Sequence, residues 1–234
     1  MRIAAVADIH YRENWKESIR DLLQDVETQA DLLLIAGDLT DTGLPAEADG
    51  LAEELRDISI PIVAVLGNHD HESDESEQIV KIVGDAGVCL LDGTVFEIDS
   101  VGFAGTKGFC GGFDDQFIQP FGERALKTFI QTSIEEAINL ENALAKLDCQ
   151  HKVILLHYSP IRETLSGEPL ELYPFLGCSR LANAADRQKA DVIVHGHAHH
   201  GSPSGRTKGG VQVYNVSRFV QNSHFHRNFC VFEL

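Results

Sequence analysis

The 234-residue chain carries 19 Lys and Arg against 36 Asp and Glu, a formal charge of −17 that argues against nucleic acid or an anionic membrane as its main partner. With 43% hydrophobic residues and no apolar run near the roughly 20 residues that span a bilayer, it reads as a globular protein that needs no disulfide or metal merely to fold. Cys89, Cys110, Cys149, Cys178 and Cys230 are odd in number and form no CxxC pair, so they suggest neither a disulfide framework nor a thiolate zinc site and suit a reducing cytoplasm.

Residues 1–7 are too short an apolar stretch for a signal peptide and read as a first strand. Further apolar runs at 32–36, 62–66, 153–156 and 192–194, each bounded by turn residues, predict strands buried on both faces. Trp15, Ile19, Leu22, Leu23 and Val26 recur at helical spacing and predict a helix over 14–30, as Leu51, Leu55 and Ile58 do over 45–58. Such alternation implies parallel strands with helices packed on them. The middle differs: residues 88–91, 94–98 and 101–104 predict an antiparallel meander turned at Asp92-Gly93 and Asp99-Ser100. A glycine-rich loop at 105–112 precedes a long helix over 122–147, with a break expected at Thr132-Ser133. Residues 164–177, rich in Gly and Pro, predict a structureless insertion, and His224 and His226 alternate in a predicted C-terminal strand. No linker or repeat interrupts the chain, so one domain over 1–234 is expected.

The chemistry lies just after the buried strands: Asp8-Ile9-His10, Gly37-Asp38, Gly67-Asn68-His69-Asp70, His157, and His195-Gly196-His197-Ala198-His199. Parallel strands share one carboxyl edge, where α/β proteins place their sites, so these groups should converge. Two carboxylates, one amide and four imidazoles, with no thiolate, suit Mn, Fe, Zn, Co or Ni better than Ca or Mg, manganese and iron foremost. Seven donors exceed one tetrahedral ion, whereas a shared carboxylate gives each of two ions four ligands. Two ions roughly 3.5–4 Å apart can share a hydroxide nucleophile and clamp an in-line phosphoryl displacement.

The same five motifs, in order, resemble those of the calcineurin-like metallophosphoesterases. The resemblance spans residues 8–199 and implies a four-layer αββα sandwich, two mixed β-sheets packed face to face with helices outside. By position it implies that Asp8, His10 and His199 bind one metal, Asn68, His157 and His197 the other, and Asp38 bridges them. It further implies that His69 is the general acid that protonates the departing alkoxide, oriented by a hydrogen bond to Asp70. A single strand-end histidine is more often structural, but burying Asp8 and Asp38 among apolar strands without a cation would be costly.

Lys107, Arg162, Arg180 and Arg218 are candidate phosphate clamps, and the 164–177 insertion a candidate lid in which Tyr173 and Phe175 cover the leaving group. His195 reads as a core residue or a support to the ligands, His71 and His200 as solvent-facing or supporting residues, and His151 as carrying no signal. The cysteines read as buried fillers, although Cys110 and Cys178 could lie near the pocket. The expected activity is hydrolysis of a small phosphoester, a phosphodiester of nucleotide or metabolite type first. The alternatives are a phosphomonoesterase and, in another class, a scaffold that keeps the fold without catalysis.

Overall fold

The computed structural model describes residues 1–13 and 18–234. Trp15, part of the first predicted helix, lies outside the described residues. Four parallel strands, β1 (Arg2–Val6), β2 (Leu32–Ala36), β3 (Ile62–Val65) and β4 (Cys89–Leu90), form a first sheet whose other edge is β11 (Cys230–Glu233), antiparallel to β1. The second sheet runs β5 (Thr94–Ile98), β6 (Val101–Thr106), β7 (His151–Leu156), β8 (Val192–His195), β10 (Gln212–Asn215) and β9 (Ser204–Arg206). Its centre, β6 to β10, is parallel, and the β5–β6 and β9–β10 pairs are antiparallel.

Side-chain alternation along the strands builds the layers. Ile3, Ala5, Leu32, Leu34, Val63 and Val65 of the first sheet face Phe103, Val153, Leu155, Val192 and Val194 of the second, so the central core lies between the sheets. On the outer face of the first sheet, Ala4, Val6, Leu33 and Ile35 pack under helices α1 (Ile19–Leu22), α2 (Val26–Gln29), α3 (Pro45–Leu55) and α4 (Ser76–Asp85). On that of the second, Ala104, Ile154, Leu156 and Ile193 pack under α5 (Arg124–Leu144) and α7 (Ser179–Gln188). Two mixed sheets flanked by helices are thus the architecture that the motif resemblance implied. Two short helices complete it: α6 (Tyr173–Leu176) before α7, and α8 (Arg218–Phe225) before β11.

Several local expectations are corrected. Over its described residues the first predicted helix is two single turns, because Asp25 takes a left-handed conformation at φ 63° and breaks the ladder. The meander is only the β5–β6 hairpin. β4 pairs with β3, and the Asp92-Gly93 turn carries the chain from one sheet to the other. Helix α5 runs unbroken through Thr132-Ser133: the Thr132 hydroxyl donates to the Thr128 carbonyl at 3.2 Å, and Ser133 is buried on the packed face. The 164–177 segment is not structureless. It holds 3-10 turns at Glu163–Leu165 and Leu170–Leu172 and then α6, and Leu165 and Tyr173 pack with Phe113 and Ala198. His224 lies in helix α8 and His226 is its left-handed cap, so neither belongs to a strand. Helix α4 was not foreseen, its short pattern resting on Ile79 and Val83 alone.

Candidate metal centre

Each donor sits just beyond a strand that alternation has fixed in the core, on a loop that bends out of the sheet at once. Asp8, His10, Asp38 and His197 all adopt left-handed backbone, with φ of 59, 51, 50 and 68°. Such conformations cost energy for residues with a Cβ and persist where the surroundings over-determine them. Here the loops brace one another: the Asp8 and His10 amides donate to the Gly37 and Asp38 carbonyls at 3.1 and 2.9 Å, and the His197 amide donates to the Asp8 carboxylate at 3.0 Å. Gly67 is required by contact, since a Cβ there would lie 2.1 Å from Asp38 Oδ1.

The side chains meet in two groups that share Asp38. Asp8, His10, Asp38 and His199 can bring ligand atoms within 4.8 Å of one another, and so can Asp38, His157 and His197. Asp8 Oδ1 lies 3.5 Å from His199 Nε2, and Asp38 lies 3.6 Å from His10 Nε2 and 3.3 Å from His157 Nε2. Asn68 joins the second group, its Oδ1 2.9 Å from His157 Nε2.

A divalent ion at each group fits the donor set. Both His10 nitrogens are buried without a hydrogen-bond partner, although carboxylates stand nearby off the bonding line. Asp8 and Asp38 are almost wholly buried, and a buried carboxylate pair needs positive charge. Burial alone would raise both carboxyls. For Asp8 the His199 hydrogen bond and the His199 and His157 charges, and for Asp38 the His157 charge, hold them below the ordinary carboxylate range instead. Burial opposes protonation of His157, yet Asp38 and Asp8 raise it to about 9. Its Nδ1 faces the Ala36 carbonyl at 2.9 Å, so acceptors at both nitrogens favour the imidazolium, and an ion bound at Nε2 would stand in place of a proton. Burial, with the His157 charge beside it, lowers His197 to about 3, and burial lowers His195 to about 4.

The expected Asp70–His69 hydrogen bond is not formed. Asp70 is fully buried and accepts from the Leu39, Thr40 and Gly67 amides at 3.2, 2.8 and 2.8 Å and from the Thr40 hydroxyl at 2.6 Å. It pins the Asp38 loop to the Asn68 loop, and burial with the Asp38 charge raises its carboxyl to about 6. His69 is instead fixed by the Asp41 carbonyl, which accepts from its Nδ1 at 2.6 Å. Asp41, missed in the sequence, also sets its carboxylate 3.3 Å from His10 Nδ1 and 2.8 Å from Arg12 Nε. Its one signal was a third acid three residues after Asp38.

His195 lies in the core beside the centre, its nitrogens against Thr164 Oγ1 and the Gly196 carbonyl, both at 2.8 Å. Lys107 approaches the centre through rings: its Nζ is 5.3 Å from the Tyr158 ring, whose centroid is 4.4 Å from that of His197. Arg218 donates from Nε to the Asp8 carbonyl at 3.0 Å. Arg162, Arg180 and Tyr173 make their contacts elsewhere. Arg162 stacks 5.2 Å from the Tyr173 ring and Arg180 4.2 Å from Phe117. Arg162, Tyr173 and Phe117 line a separate cavity of about 600 Å³ with Asp114, Asp115, Asp186, Arg206 and Lys208. Among the described residues no helix is long and apolar enough to cross a membrane.

The sequence profile described as calcineurin-like phosphoesterase matches residues 1–201. A probable cyclic nucleotide phosphodiesterase of Synechococcus sp. is 23% identical over 220 residues, covering 80% of this chain and 83% of that protein. Among solved structures, the phosphopantetheinyl hydrolase of Mycobacterium tuberculosis superposes with a TM-score of 0.66 at 15% identity, covering 98% of this chain and 95% of that one. GAP50 of Plasmodium, the anchor in the inner membrane complex, superposes with a TM-score of 0.55 at 15% identity over 94% of this chain and 72% of that one. These likenesses to solved structures establish the fold.

Proposed function

The chain belongs to the calcineurin-like phosphoesterase family and is a hydrolase, and from that premise we propose that it cleaves a small phosphodiester of nucleotide or metabolite type at a binuclear metal centre. The observation that carries the reading is the pair of buried donor groups joined at Asp38. Asp8, His10 and His199 would hold one ion, Asn68, His157 and His197 the other, with Asp38 available to both. Manganese or iron suits this nitrogen and oxygen set. When bound, the ions supply Lewis acidity toward phosphoryl oxygens and lower the pKa of water. The diester preference takes support from the Synechococcus relative, named a probable cyclic nucleotide phosphodiesterase.

His69 is the general acid. The Asp41 carbonyl accepts from its Nδ1, so in the imidazolium form Nε2 carries the second proton, the one handed to the departing oxygen. Asp70 holds the two loops that present Asp38 and Asn68 in register. Lys107 contributes positive charge toward substrate oxygens from behind Tyr158. Residues 1–234 act as one domain in a cytoplasmic setting. The 164–177 segment serves as a fixed wall of the neighbouring cavity rather than a closing lid, because Tyr173 is packed into a small core.

The test is hydrolysis of bis(p-nitrophenyl) phosphate and p-nitrophenyl phosphate by metal-stripped protein reloaded with Mn²⁺, with Asp38→Asn as control. Diester preference, lost in the variant together with bound metal, is expected. Monoester preference would move the substrate to phosphorylated metabolites, and two bound metals without turnover of any ester would favour a scaffold role.

A further inference from the structure

We propose that Phe219 is the residue that selects substrates carrying a planar aromatic group, a nucleobase being the fitting class, by giving that group an apolar contact at the mouth of the metal centre. The proposal rests on the phosphoesterase reading for the position of the phosphate.

Phe219 stands in the first turn of α8 and is 38% exposed, although it is a large apolar ring. Its centroid lies 4.5 Å from that of His199, with 36° between the planes, and 6.2 Å from that of His10. His10 in turn meets the His69 ring edge-on at 4.5 Å. The four rings form a continuous rim that runs from exposed Phe219 past two proposed metal ligands to the proposed general acid. In a phosphodiester seated over the two donor groups with its departing oxygen toward His69, the ester group that stays on phosphorus is the one assigned to the opposite, Phe219 end of this rim. There Phe219 supplies the exposed apolar surface.

The ring is also pre-positioned, which a specificity contact needs. Ser217 is bridged to Ala7 at the end of β1, and the Arg218 amide donates to the Ala7 carbonyl at 3.1 Å. Arg218 Nε donates to the Asp8 carbonyl at 3.0 Å, and its guanidinium lies 4.7 Å from the Phe219 ring centre. The start of α8 is thus tied to the loop that carries Asp8 and His10. Aromatic contact with a base would add selectivity without hydrogen-bond readout, so the site would distinguish aromatic from non-aromatic esters more than one base from another.

The experiment measures binding of adenosine 5′-monophosphate and ribose 5-phosphate to manganese-loaded protein by calorimetry, for wild type, Phe219→Ala and Phe219→Trp, with metal content determined for each. The two probes share the phosphate and differ by the base. Wild type should prefer the nucleotide. Phe219→Ala should lose about tenfold of nucleotide affinity with little change for the sugar phosphate and an unchanged metal content, and Phe219→Trp should keep the preference. Equal binding of the two probes by wild type would overturn the proposal, as would an equal loss for both in Phe219→Ala, which would mean that the ring only supports His199. A change of oligomeric state in Phe219→Ala with nucleotide binding intact would overturn it in favour of an interface. Selective loss of nucleotide binding in a protein that cleaves no ester would support this proposal while refuting the catalytic one.

Discussion

Metal uptake should release protons, and affinity should weaken as pH falls, because His157 is held as an imidazolium in the metal-free protein. Burial disfavours that charge, but Asp38 and Asp8 outweigh it and place the group at about 9. Each pH unit below that value costs a ligand about 1.4 kcal/mol to deprotonate, so at pH 7 uptake at this site bears roughly 3 kcal/mol, about a hundredfold in affinity. The group's pKa is raised on folding. Its contribution to the stability of the metal-free protein is therefore complete below the ordinary histidine value and is lost as pH rises through about 9. Metal-free protein should lose stability over the interval in which metal binds more tightly, and the thermal shift on adding metal should grow with pH. His197 and His195, lowered to about 3 and about 4, are already neutral at pH 7 and release nothing. Calorimetric titration of stripped protein with Mn²⁺ at pH 7, in two buffers of different ionisation enthalpy, counts the protons directly. About one per protein is expected, from His157. No release, with affinity flat between pH 6 and 8, would refute the imidazolium and the charge balance behind it.

Three substitutions test the neighbouring residues. His69→Ala should keep both metals and lose kcat by about 100-fold or more on esters with poor leaving groups, less on p-nitrophenyl esters. Equal losses on both would remove His69 as the acid. Asp70→Asn puts an amide where three backbone donors converge. Rotated toward the Thr40 hydroxyl it still leaves the Thr40 amide unpaired, and relief of a buried charge offsets only part of that. A loss of about 2 kcal/mol, or roughly 4–8 °C in melting temperature, is expected by calorimetry, and an unchanged melt would contradict the loop-pinning role. Asp41→Ala removes the carboxylate beside His10 Nδ1 but keeps the backbone carbonyl beneath His69. Metal affinity should fall about 10–100-fold in a fluorescence competition titration, whereas an unchanged affinity would leave Asp41 with its backbone role alone.

The strand-end donors were legible because a buried apolar run ending in Asp, Asn or His shows itself locally. Alternation along the 32–36 and 153–156 runs also carried the two-faced burial that makes four layers, once the motifs had suggested two sheets. What was not legible depended on partners distant in the chain. Asp70 sits beside His69 in sequence, yet its partners Leu39 and Thr40 come from the preceding loop. Residues 88–98 read as one meander because turn residues mark a reversal without saying which strand comes next. Tyr173 and Arg162 sit near His157 in sequence, but their segment coils into short helical turns in which Tyr173 packs with Phe113, Leu165 and Ala198 and Arg162 lies against its ring.

By itself the sequence determined which segments are buried, where each strand ends and which donors stand there, because burial and chain reversal leave a pattern over a few residues. The tertiary structure decided which sheet each strand joins, that Asp41 rather than Asp70 fixes His69, and that Phe219 reaches the rim beside His199. These are choices of partner among groups tens to hundreds of residues apart, and they are settled only when two sheets pack and bring their carboxyl edges together.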